Sequence, residues 1–206
     1  MRPVILAIFL FALSGPTVPS SALAGPDFSR ICARAIHAAE VANHLPRFLL
    51  HAVSLAESGR WHDKGQALIA WPWTITAGGK GKFFPTKKEA LAEVKRLQSA
   101  GVSNIDVGCM QINLKHHGHV FQDLEEVMDP INNVAYAAIF LKRLRRKSGS
   151  WAHAVGRYHT GNWKGRGKDY WRRVRALWTT EQQRDFRARR AARIARNSRS
   201  HRTTRR

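Results

Sequence analysis

The segment PRFLLHAVSLAESG, Pro46 to Gly59, reads as one helix with a charged end. Pro46 suits a first helical turn, where a missing N–H costs nothing. Phe48, Leu49, Leu50, Val53 and Leu55 supply its apolar positions, and Gly59 suits its stop. Glu57 therefore sits near the negative end of the helix dipole, behind an apolar face. Both conditions disfavour a charged carboxylate and raise its pKa. A carboxyl group still protonated near neutral pH can act as a general acid, so by position Glu57 is either a candidate catalytic residue or a solvated Glu at a helix end.

Outward from this helix the chain continues helical. Ser29 to Asn43 is Ala-rich and helix-favouring. Thr86 and Glu89 form a capping box before Ala90–Gln98, with Gly101 as the stop. Asp129-Pro130 opens a helix carrying Ile131, Val134, Ala138 and Leu141 at helical spacing, ending at Gly149. Ser150 caps a helix from Trp151 to about Thr160. Asp169 caps a last one with Tyr170, Val174, Leu177 and Trp178 on one face. Two stretches, 60–85 and 102–119, read as irregular, yet they hold too many aromatic residues to be disordered. After Trp178 the composition turns to Arg, and 181–206 reads as a basic tail, disordered or partly helical.

Thirty-five Lys and Arg against 14 Asp and Glu give a net charge of +21, which draws the chain to polyanions. The N-terminus narrows the partner. Arg2, an apolar run from Val4 to Leu13, and Ala22-Leu23-Ala24 form the pattern of a secretory signal peptide over 1–24. Its apolar run is too short to span a bilayer. A periplasmic or secreted mature chain starting at Gly25 is expected, and export argues against a nucleic-acid partner. Cys32 and Cys109 are the two cysteines, and in an oxidising compartment an even count permits a disulfide.

Three motifs, in order, carry a resemblance. Leu55-Ala56-Glu57-Ser58-Gly59 resembles the Glu-Ser motif of the soluble lytic transglycosylases, which share a fold with goose-type lysozyme. Gly108-Cys109-Met110-Gln111-Ile112-Asn113 is similar to that family's Gly-Leu-Met-Gln-Ile motif. Ala154-Val155-Gly156-Arg157-Tyr158-His159-Thr160-Gly161 is similar to its Ala-x-x-x-Tyr-Asn-Ala-Gly motif. Asn133 matches the Asn of its Asp-Pro-x-x-Asn helix.

The resemblance implies a mainly α, lysozyme-like single catalytic domain over 25–180, with a small irregular or β loop region lining a cleft. It implies Glu57 as general acid/base and Ser58, Gln111, Asn113, Tyr158 and His159 as substrate-binding positions. Tyr158 matches the Tyr that faces the catalytic Glu. The implied substrate is peptidoglycan glycan, cleaved between N-acetylmuramic acid (MurNAc) and N-acetylglucosamine (GlcNAc) to a 1,6-anhydro end, with no metal or cofactor. Cys109 and His159 depart from the family's Leu and Asn. The Trp71-Pro72-Trp73 stretch reads either as a lid over the sugar or as a structural clasp.

Other readings stay open. A two-carboxylate glycosidase needs a second acid, for which Asp63 and Asp106 are the nearby candidates, although Asp106 also suits a turn. A water-using muramidase would keep the same cleft. His116, His117 and His119 cluster without a known zinc spacing. The basic tail suits anionic wall polymers or a membrane surface. A secretion or flagellar machine is a further partner class, and a basic nucleic-acid-binding protein is the reading that export opposes.

Overall fold

The computed structural model describes residues 28–203, so the expected signal peptide lies outside the described residues. After a 3-10 turn at Phe28–Arg30, α1 spans Ile31–Ala42 and turns Cys32, Ile36 and Glu40 inward at four-residue spacing. Glu40 organises the start of the next helix. Its carboxylate accepts the backbone N–H of Phe48 at 3.0 Å and of His51 at 3.1 Å, capping that helix from a distance. The helix, α2, spans Leu49–Ser58 and begins after Phe48, whose φ is +66°. Pro46, expected in the first turn, lies in the turn before it, and its carbonyl accepts from the Leu49 N–H at 3.0 Å.

The stretches read as irregular hold six short strands. β1 (Gly59–His62) and β2 (Ala67–Ala70) form a hairpin directly after α2. A second antiparallel sheet runs in the order β4 (Lys80–Phe83), β3 (Thr74–Ala77), β5 (Ile105–Val107), β6 (Ile112–Asn113). β3 and β4 meet across Gly78-Gly79, both at positive φ, the backbone that a two-residue hairpin loop demands. The Trp-rich stretch is a clasp. Trp71 donates its indole N–H to the Phe84 carbonyl at 2.7 Å, Trp73 is buried, and Phe28 packs edge-on against both rings. Neither Trp lines the cleft.

The remaining helices obey local signals closely. α3 spans Lys87–Ser99 with Thr86 as its cap, accepting from Glu89 N–H. The short helices α4 (Leu114–His117) and α5 (Leu124–Met128) are capped by Asn113 and Asp123. α6 spans Pro130–Ser148 between the Asp129 cap and Gly149 at φ +75°. α7 spans Trp151–Thr160 after Ser150. Together these elements bury one core that includes Leu50, Val53, Met110, Val134, Leu141, Val155 and Val174.

The last helix, α8, spans Arg166–Thr203 and starts three residues before Asp169, the expected cap. It passes the expected domain boundary at residue 180 without a break. Trp178 donates to the Arg47 carbonyl at 2.8 Å, and Arg47 pairs with Asp185 at 2.7 Å, so contacts with the domain reach Asp185. Beyond that point, residues 186–198 are exposed along the helix.

A candidate active site at the end of helix α2

Glu57 is the last-but-one residue of α2, and its side chain is 12% exposed at the floor of an open cleft of about 720 Å³. Burial raises its pKa to about 7; the Tyr170 hydroxyl and the Arg173 charge pull it down, and the Asp106 charge pushes it up. Tyr170, on α8, donates its hydroxyl to Glu57 Oε1 at 2.5 Å. The His159 ring stacks on Tyr170 with centroids 4.4 Å apart, and His159 Nδ1 lies 3.9 Å from Glu57 Oε1. Burial, with the charges of Arg173 and Arg166, lowers the His159 pKa.

One wall of the cleft is the Gly108–Asn113 loop, and buried bonds pin it. Asn133 on α6 is fully buried and donates to the Val107 and Val127 carbonyls at 3.0 Å each. Its Oδ1 accepts the Met110 N–H at 2.9 Å. Gly108 takes φ +82°, and a Cβ there would meet Asn133 Nδ2 at 2.4 Å, so no larger residue fits. A disulfide joins Cys109 to Cys32 on α1, closing a sequence separation of 77 residues.

The Glu-Ser motif implies that Ser58 touches substrate. Instead Ser58 is buried, and its hydroxyl donates to the Cys109 carbonyl at 2.7 Å, joining α2 to the loop. Gln111, at φ +49°, lines the cleft and donates its amide to Thr74 and Gly108 carbonyls at 3.1 and 3.0 Å. The amide donors are thereby engaged, and Oε1 is the group it offers a ligand. Asn113 also lines the cleft, but its amide donates to Asn104 and Asp106 at 2.6 and 2.8 Å. Its oxygen caps α4 through His116 N–H at 3.1 Å. Asn113 therefore organises the wall rather than presenting free donors to a sugar.

The opposite wall is α7 with the start of α8. Arg157, Tyr158, His159, Thr160 and Gly161 line it, joined by Arg173. Tyr158, which matches the Tyr that faces the catalytic Glu, lines the same cleft as Glu57. Its hydroxyl donates to the Met110 carbonyl at 2.8 Å, bridging the two walls, while Tyr170 bonds Glu57. The helical pattern marks Tyr170 as inward-facing only; its partner lies 113 positions away. Of the two candidate second carboxylates, Asp106 lines the cleft and is held by Asn113 rather than by its own turn, with burial raising its pKa. Asp63 sits on an exposed 3-10 turn outside it. His116 and His117 reach the cleft, where His117 Nδ1 shares a hydrogen bond with Tyr136 at 2.8 Å. Among the described residues no three His, Cys, Asp or Glu side chains converge to hold a metal.

The site thus combines a carboxyl group whose pKa burial raises to about 7, a hydroxyl that fixes its orientation and a polar, partly aromatic cleft. Comparison with protein-family models matches residues 34–175 to the Transglycosylase SLT domain. No curated protein and no solved structure matches the chain. The match covers more than half of the chain, including all three motifs and Tyr170, and the chain belongs to the SLT transglycosylase domain family, lysozyme-like lyases that act on the glycosidic bonds of peptidoglycan.

Proposed function

We propose that Glu57 cleaves the β-1,4 bond between MurNAc and GlcNAc and leaves a 1,6-anhydro-MurNAc end. The observation that carries this reading is the buried Glu57 carboxyl, with its pKa near 7 and its Oε1 bonded to Tyr170. Oε1 is occupied as an acceptor, so the acidic proton belongs on Oε2. From there it passes to the glycosidic oxygen as the bond to C1 breaks. The substrate's N-acetyl group stabilises the positive charge that develops. The resulting Glu57 carboxylate then takes the proton of the muramic C6 hydroxyl, which attacks C1, and no water is consumed. The Gln111 carbonyl oxygen and the exposed edge of His159 are the groups offered to the sugar.

Asp106 supports a second reading. A carboxylate in the same cleft could activate water and make the enzyme a hydrolytic muramidase. The test is to digest purified sacculi and weigh the muropeptides. The first reading predicts ends lighter by one water than reducing muramic acid, and no products from a folded Glu57→Gln variant. Reducing ends would transfer the assignment to hydrolysis, and full activity in Glu57→Gln would remove Glu57 from the chemistry.

Export to the periplasm or beyond fits the signal-like segment 1–24 and the Cys32–Cys109 disulfide. The exposed Arg187, Arg189, Arg190, Arg193 and Arg196 on the free end of α8 suit a salt-sensitive hold on anionic wall polymers or a membrane surface.

A further inference from the structure

The two walls of the cleft differ in charge. The acidic groups, Glu57 and Asp106, come from α2 and β5. The α7–α8 side is cationic, with Arg157 and Arg173 lining the cleft. A smaller cavity of about 250 Å³ adjoins it, sharing His159 and Thr160 and adding Asn162, Lys164 and Arg166. None of these four cationic side chains is ion-paired among the described residues. Arg157 is the most telling of them. Its Nε is buried and has no hydrogen-bond partner, although it belongs to a residue that lines the cleft. A buried guanidinium donor without an acceptor is costly and uncommon, and a small turn of the side chain toward an acceptor in the cleft removes the cost.

We propose that Arg157, with Arg173 beside Tyr170, reads a carboxylate on the muramic acid side of the substrate. The cleft then favours glycan strands that present this charge over neutral strands of the same length. This inference rests on the peptidoglycan reading of the cleft. A planar guanidinium pairs with a carboxylate through two parallel bonds, and a partly buried pair of that kind discriminates strongly against a neutral isostere. A substrate carboxylate also neutralises Arg173, whose charge otherwise favours ionisation of Glu57. Binding the charged strand therefore helps to keep the acid protonated. Two sources supply the group: the free lactyl carboxylate of strands stripped of their peptides, and the carboxylates of the peptide stems themselves.

The test separates recognition from cleavage. Calorimetric titration of the Glu57→Gln protein would use three glycan ligands of equal length: peptide-free with the lactyl carboxylate, the same ligand converted to its methylamide, and peptide-bearing. The carboxylate ligand, or the peptide-bearing one, should bind roughly tenfold tighter than the methylamide, and the margin should shrink with added salt. Whichever charged ligand carries the margin names the source. Adding Arg157→Gln should erase most of it while lowering methylamide affinity far less, and Arg157→Lys should keep part. Arg173→Gln, at an exposed position, gives a second reading should Arg157→Gln melt early. In the protein with Glu57 intact, the same loss should appear in KM more than in kcat. Equal affinity for charged and neutral ligands overturns the proposal, as does a loss that is the same for both. Charge-dependent binding by a protein that cleaves no glycan would sink the lytic reading and leave this one standing.

Discussion

The two walls of the cleft are built on different physics. The Gly108–Asn113 wall is fixed by a disulfide, by the triply bonded Asn133 and by the buried Ser58 hydroxyl. The α7–α8 wall is held by helix packing and ring stacking, and it presents hydroxyl, imidazole and guanidinium groups to the cleft. One wall serves as a rigid template; the other supplies the side chains that touch the acid. Glu57 stands between them, covalently part of α2 and hydrogen-bonded to α8.

Breaking the template should cost the most. Asn133→Ala strands the Met110 N–H and two carbonyls in the core, so a loss of about 3–5 kcal/mol in denaturant unfolding is expected. Replacing both Cys32 and Cys109 with Ala should cost about 2–4 kcal/mol, read as a lower melting temperature that reductant no longer changes.

The acid between the walls has its own signature in stability. The folded pKa of Glu57, about 7, lies above its ordinary value of 4.5, so the native state holds an extra proton between those pH values. Its stability contribution is complete below about pH 4.5 and is lost as pH rises toward 7. Glu57→Gln escapes that loss. Its stability relative to the parent should therefore grow by about 2–3 kcal/mol from pH 4 to pH 8 in chemical denaturation. The mildest change falls on the helical wall. Tyr170→Phe keeps the ring but removes the hydroxyl that orients Glu57 and favours its ionised form. A fall in kcat of roughly tenfold is expected, with the alkaline limb of the pH profile moved upward. A Tyr170→Phe protein with unchanged kcat and profile would reduce the helical wall to packing.

Helix ends and the contiguous Gly108–Asn113 motif are legible in sequence, whereas the Cys32, Ser58 and Asn133 contacts that fix that motif come from distant segments. Asp129-Pro130, Gly149, Ser150 and the Thr86–Glu89 box mark helix ends through neighbours within four residues. The strands are harder, since pairing such as Thr76 with Asp106 joins distant segments; the Gly78-Gly79 loop is the one short-range hairpin signal. Periodicity places Tyr170 on the inner face of its helix but is silent about which polar group it meets there. Ser58 and Asn113 match sugar-contact positions, yet a motif locates a residue along the chain without saying which way its side chain turns. The start of α2 escapes local signals for a related reason: its cap, Glu40, comes from the preceding helix.

Catalysis by Glu57 requires that it be protonated when substrate arrives. The direct measurement is kcat/KM on soluble glycan strands from pH 4 to pH 10, with the fold checked at each pH. Activity should fall as pH rises through about 7, tracking loss of the Glu57 proton. Activity that stays level to pH 9 would contradict this, because a carboxyl group ionised over that range cannot be the proton donor.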